Sequence, residues 1–272
     1  MQPIKRYSSS LSVYFLFMAR LFLKVKRHTL LAVIFNLLSE ILKILSFIIP
    51  VKIILLLSSS SIPDKLTSYM VIGTLNEWIL FLAVMTVVTY LLSVSCAFFF
   101  RKSAKQGADA IKLKRQEKEP QWNVRKSREI MNFYKTSCES LADLVLLLLC
   151  LATLVFFNLK VAFVFLVAVV VFFFFLFFFE LVDLVNNGAM LKKKYPVIIH
   201  VMFSMSFFVV FIFMIVDYMY FSPIDPLSAI ISLILGRRLT MASEKFFKRV
   251  VRLMLMKERV GRVLMLEKSV RV

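Results

Sequence analysis

The side chains in this sequence that could do chemistry are a few charged and polar groups set inside long apolar runs. Asn36, Ser39, Glu40 and Lys43 fall at i, i+3, i+4 and i+7, the spacing that lines one face of a helix, and Glu40 and Lys43 are placed to pair. Arg237 and Arg238 interrupt another run, about 15 Å along a helix that would open at Pro226. A charge inside a bilayer costs roughly 2.5–3.5 kcal/mol unless it is paired or faces a wet cavity. These six residues are therefore the candidate cavity-lining or interhelical polar positions. At least one of the two arginines is expected to face a wet cavity or a carboxylate on another span, with Glu40 a candidate partner. Lys52, on the opposite face of the first run, can snorkel to the interface.

Catalytic chemistry finds no foothold. His28 and His200 have no Cys, Asp or Glu at metal-ligand spacing and read as interfacial side chains. The glycines, at 73, 107, 188, 236 and 261, are too far apart for a nucleophile elbow or a phosphate-binding loop. The expectation is no catalytic residue, no metal and no bound cofactor, with ATP entering only through a partner subunit. Cys96, Cys138 and Cys150 are odd in number, sit in or beside apolar runs and read as small buried hydrophobes.

The elements that must position these groups follow from composition. Of 272 residues, 60% are apolar and 29 are Phe, more than a soluble domain of this size can bury. The chain reads as an all-α polytopic membrane protein. Apolar runs at 29–57, 78–100, 139–157, 161–179 and 197–216 are each long enough to cross a hydrocarbon core of about 30 Å. A weaker sixth, 226–246, follows the turn Ser222-Pro223-Ile224-Asp225-Pro226. The Phe-rich stretch 172–179 reads as a lipid-facing surface.

The net charge of +19 suggests nucleic acid only if the basic residues form a folded face; here they cluster between apolar runs, so no nucleic-acid partner is expected. With the N-terminus in the cytoplasm, 31 of the 35 Lys and Arg fall on the cytoplasmic side, and only Lys65 and Lys160 lie outside. Both termini are then cytoplasmic, in a bacterial-type inner membrane. Residues 1–28 read as an interfacial amphipathic helix without a signal-peptide cleavage site, residues 29–246 as the transmembrane domain, and residues 247–272 as a cytoplasmic basic helix. That last helix, traced from Ser243, sets Phe246, Val250, Leu253, Val260 and Leu264 against Lys245, Lys248, Arg249, Arg252, Arg259 and Arg262. The expected partners are membrane lipids and another membrane subunit, as a homo- or hetero-oligomer.

This arrangement resembles the transmembrane domain of type I ABC exporters, in particular the peptide and protein secretion branch. Leu45-Ser46-Phe47-Ile48-Ile49-Pro50 is similar to the proline-bearing outer half of their first helix. Leu141-Ala142-Asp143-Leu144 through Phe157-Asn158-Leu159-Lys160-Val161-Ala162 is similar to their third helix, short external turn and fourth helix. Pro226 to Leu239, followed by Arg259-Val260-Gly261-Arg262-Val263-Leu264, is similar to the sixth helix and its exit. The resemblance implies an exporter-like six-helix bundle and a permease-type subunit whose energy comes from a separate ATPase subunit, because the sequence ends at Val272 where the fused nucleotide-binding domain would begin.

One departure is expected to matter. The second cytoplasmic connection, 180–196, allows only about 25 Å of helix out and back together, with a turn at Asn186-Asn187-Gly188. That is too short to reach far beyond the headgroups. The first connection, 101–137, is long enough, with its tip at Glu119-Pro120. Lys114, Arg115, Glu119, Trp122 and Arg125 are its candidate cytoplasmic partner contacts. The alternative function is a degenerate, non-transporting exporter-like domain that serves as membrane anchor or assembly scaffold.

Overall fold

The computed structural model describes residues 25–59, 75–116, 124–185, 191–220 and 226–265. Every secondary-structure element among them is a helix: α1 (Lys26–Ser59), α2 (Leu75–Gln116), α3 (Val124–Phe157), α4 (Leu159–Val185), α5 (Leu191–Tyr220) and α6 (Pro226–Met265). The interfacial helix expected before residue 25 lies outside the described residues. So do the turns expected at Glu119-Pro120, Asn186-Gly188 and Ser222-Asp225.

The helices outrun their apolar cores. α2 has 42 residues and α6 has 40, or about 60 Å each, against a hydrocarbon thickness of about 30 Å. The polar stretches beyond each apolar run, such as 101–116 and 124–138, contain no Pro and many Lys and Arg, so they continue the same rod. α3 and α4 are joined only by Asn158, whose side-chain Oδ1 accepts from the Val161 amide at 3.2 Å and caps α4.

Among the described residues, four segments are long and apolar enough to cross a membrane: Lys26–Ile54, Asn76–Leu113, Arg128–Phe157 and Pro196–Asp217. The described part of α4 adds a shorter apolar stretch, Leu159–Val171. α6 is not among the four, because Arg237, Arg238, Glu244 and Lys245 crowd its apolar half. Large apolar side chains point outward from several of these helices, as a lipid-facing surface requires: Phe98, Phe156, Phe163 and Phe174 are each at least 65% exposed.

Among the described residues, packing centres on two large clusters and a small one, Ile199 and Phe203 of α5 against Phe247 and Val251 of α6. α1, α2 and the first half of α3 meet around Ala32, Phe100, Ala104, Ala108, Tyr134 and Cys138. The second half of α3 meets α4, α5, α6 and the middle of α1 around Leu154, Val161, Phe165, Val210 and Leu239. A small residue lets a neighbouring side chain lie against the backbone at Gly107 on α2. A Cβ there would lie 2.7 Å from the ring of Tyr134 on α3. The Tyr134 hydroxyl in turn lies 2.8 Å from the Thr29 hydroxyl on α1, so one ring fastens three helices. Cys96, Cys138 and Cys150 are free and buried.

Candidate functional site

The polar stripe of α1 divides between two neighbours. Ser39 is buried, and its hydroxyl donates to the Ser93 carbonyl on α2 at 2.9 Å, so it fixes that helix pair. Asn36 is half-buried. Glu40 faces α6, where it holds Lys43 of its own helix at 3.1 Å and Lys245 at 3.8 Å. Two turns along α1, the Arg238 guanidinium lies 4.9 Å from the centroid of the Phe47 ring. The contacts Glu40–Lys245 and Phe47–Arg238 are seven residues apart on each helix and in opposite order, which sets α1 and α6 antiparallel in a defined register.

The carboxylate Glu40 is thus in ion-pair contact with lysines, while the arginine expected as a candidate partner rests on an aromatic face. The physical reason is the register: Arg238 sits two turns of α6 away from the level of Glu40. Arg237 is exposed. Lys43 and Lys245 are 37% and 47% exposed and Glu40 is 19% exposed, so this charged group opens to the surroundings along the seam where α1 and α6 barely touch.

A second set of charges ties α6 to α3. Arg249 donates to Asp143, whose side chain is buried, and its Nε lies 3.3 Å from Glu139 Oε2. The same guanidinium donates to the Glu139 carbonyl at 3.3 Å. Lys135 stands 4.0 Å from Glu139 on the other side. A third set ties α6 to α5: His200 Nδ1 and Glu244 Oε1 are 2.9 Å apart, Lys248 donates to the same carboxylate, and Phe203 stacks on Phe247 at 5.4 Å. Within residues 238–249, one helix therefore makes charged contacts to α1, α3 and α5.

At the opposite end of the bundle, Lys160 of α4 donates to buried Asp217 of α5 at 2.8 Å. Residues 201–216 of α5, between His200 and Asp217, carry no charge. Charges thus occupy two levels, separated along α5 by about 25 Å.

Lys114 and Arg115 lie near the end of α2 and Arg125 near the start of α3, while Glu119 and Trp122 fall outside the described residues. The sequence reading missed the Arg249 clamp, the His200–Glu244 pair and the Lys160–Asp217 pair. A signal for the first was present: Glu139 and Asp143 are four residues apart, as are Lys245 and Arg249, so two helices carry opposite charges at matching helical spacing. Among the described residues no three His, Cys, Asp or Glu side chains converge as metal ligands. What the arrangement can do is hold α6 by ion pairs and present a half-open charged seam.

Comparisons with protein-family models, with curated proteins and with solved structures give no match.

Proposed function

We propose that this chain is an exporter-like, permease-type membrane subunit with six spans and both termini in the cytoplasm, which moves a substrate across the cytoplasmic membrane using a separately encoded ATPase. The observation that carries this reading is the Glu40–Lys43–Lys245 group with Arg237 and Arg238 beside it. Charge in a membrane helix that is only half-buried is costly against lipid and is accommodated where it borders a water-filled path. The exporter resemblance of the sequence supplies the architecture, with the first connection as the surface that meets the ATPase.

A second reading, a non-transporting scaffold, is favoured by Arg249. Its pairing with Asp143 and Glu139 gives the charges of α6 a purely structural use, fixing α6 to α3. A mild-detergent pull-down of the tagged protein, with mass spectrometry and an ATPase assay, separates the two. A stoichiometric active nucleotide-binding subunit is the result expected of a permease. Recovery of the chain alone, or with membrane proteins lacking ATPase activity, overturns that reading in favour of the scaffold.

A further inference from the structure

Glu40, Lys43 and Phe47 on α1, and Arg238, Met241 and Lys245 on α6, fall at i, i+3 and i+7, so each set lines one helical face. The contacts Glu40–Lys245 at 3.8 Å and Phe47–Arg238 at 4.9 Å close the two ends of the seam between them, about 10 Å apart along the helices. Lys43 and Met241 stand between those ends, 37% and 43% exposed.

The charges of the seam do not balance. Three cations, Lys43, Arg238 and Lys245, share one carboxylate, Glu40, and the neighbouring Arg237 is exposed. The other carboxylates near this stretch of α6 are engaged elsewhere: Asp143 and Glu139 with Arg249, Glu139 also with Lys135, and Glu244 with His200 and Lys248. Among the described residues Arg238 forms no ion pair and donates no hydrogen bond; its partner is the Phe47 ring. An aromatic face attracts a cation but supplies no countercharge and no oxygen for the guanidinium N–H groups. Two surplus cations beside lipid are costly, and a neutral or cationic solute leaves that cost in place. An oxyanion removes it, through charge-assisted hydrogen bonds to ammonium and guanidinium groups together.

We propose that the α1–α6 seam binds an oxyanion, the phosphate or carboxylate of a soluble solute or of a lipid headgroup, between Lys43 and Arg238. This rests on the reading of the seam as the border of a water-filled path and names the chemistry that such a path would take.

The test uses the full chain carrying Met241→Cys, in mild detergent, where the native cysteines are buried. Reaction rates are measured with anionic and cationic methanethiosulfonate reagents and referred to a free thiol. The anionic reagent should be favoured by about tenfold or more, the effect expected of two surplus charges in water-like surroundings. Adding K43Q and R238Q, which leaves Glu40 with Lys245, should return the ratio to that of the free thiol; adding Glu40→Gln instead should raise it about threefold. Occupancy is then read with a neutral reagent at fixed ionic strength. Slowing by inorganic phosphate identifies a soluble oxyanion; slowing by phosphatidylglycerol alone, and not by phosphatidylcholine, identifies a headgroup.

Equal reaction with both charged reagents overturns the proposal, as does slowing by none of the probes. No reaction with any reagent shows a dry seam and overturns the path as well. If the K43Q and R238Q variant does not fold, a ratio that Glu40→Gln leaves unchanged is decisive against it. Anion preference in a chain that recovers no ATPase would fail the permease and leave the oxyanion site standing.

Discussion

Lys245 of α6 lies 3.8 Å from Glu40 of α1, joining a helix near the beginning of the chain to one near its end. With Arg238 on Phe47 two turns away, the pair defines a seam of half-open charge. Glu40→Gln removes the countercharge of two lysines without leaving a buried ion. If water reaches the seam the loss of stability should be small; if it does not, each lysine left unpaired in lipid costs roughly 2.5–3.5 kcal/mol. If the seam lines a path, substrate movement in reconstituted vesicles falls while protein yield holds, and the same split is expected of the combined variant R237L and R238L. Loss of yield in either case would assign the seam a structural role.

Arg249 stands in the opposite situation. Replacing it with Leu strands Asp143 among buried groups, and breaking a buried pair in this way costs about 3–5 kcal/mol. Thermal unfolding in detergent should show a large drop in midpoint. Adding Asp143→Asn to the Leu variant should recover much of it, because the orphaned charge is then gone. An unchanged midpoint for the single variant would show that the clamp contributes nothing.

Gly107→Ala tests the three-helix fastening. A methyl group there meets the Tyr134 ring at 2.7 Å, and overpacking of this kind costs about 1–3 kcal/mol. Tyr134→Phe in the Ala background should give no full relief, since ring carbons are among the atoms met. Tyr134→Leu should relieve more. Both are read from the unfolding midpoint against the single variants.

Orientation is open to chemical labelling. The native cysteines are buried, so a cysteine at Lys135 and another at Asn158 should dominate reaction with a membrane-impermeant maleimide. The six-span reading expects Asn158→Cys to label from outside intact cells and Lys135→Cys only after lysis. Labelling of both from outside would require a different topology.

The sequence made the helices legible because their apolar runs are long and uninterrupted. The helix ends were less so. α3 starts at Val124, well before its apolar run at 139, because Arg128, Glu129 and Lys135 leave the hydrocarbon without leaving the helix. Pairing within α1, between Glu40 and Lys43, could be read from spacing alone. Pairing between helices is signalled only by matched spacing, Glu139 and Asp143 against Lys245 and Arg249, which does not say which cation meets which carboxylate across more than a hundred residues. Cost in lipid alone makes an arginine as good a partner for Glu40 as a lysine. The choice of Lys245 depends on how far α6 slides along α1, which no local pattern encodes.

The uncharged stretch of α5 has a further consequence. Its 16 residues, 201–216, span about 24 Å between His200 and Asp217, less than the roughly 30 Å of an average hydrocarbon core. Tilting, the usual remedy for a long helix, would only worsen the mismatch. The whole apolar segment Pro196–Asp217, about 33 Å long, reaches across such a core only with the exposed His200 ring and its partner Glu244 inside the edge of the apolar layer or snorkelling out of it. Shorter acyl chains bring that polar level to the interface, so the unfolding midpoint in vesicles should rise as the lipid chains shorten.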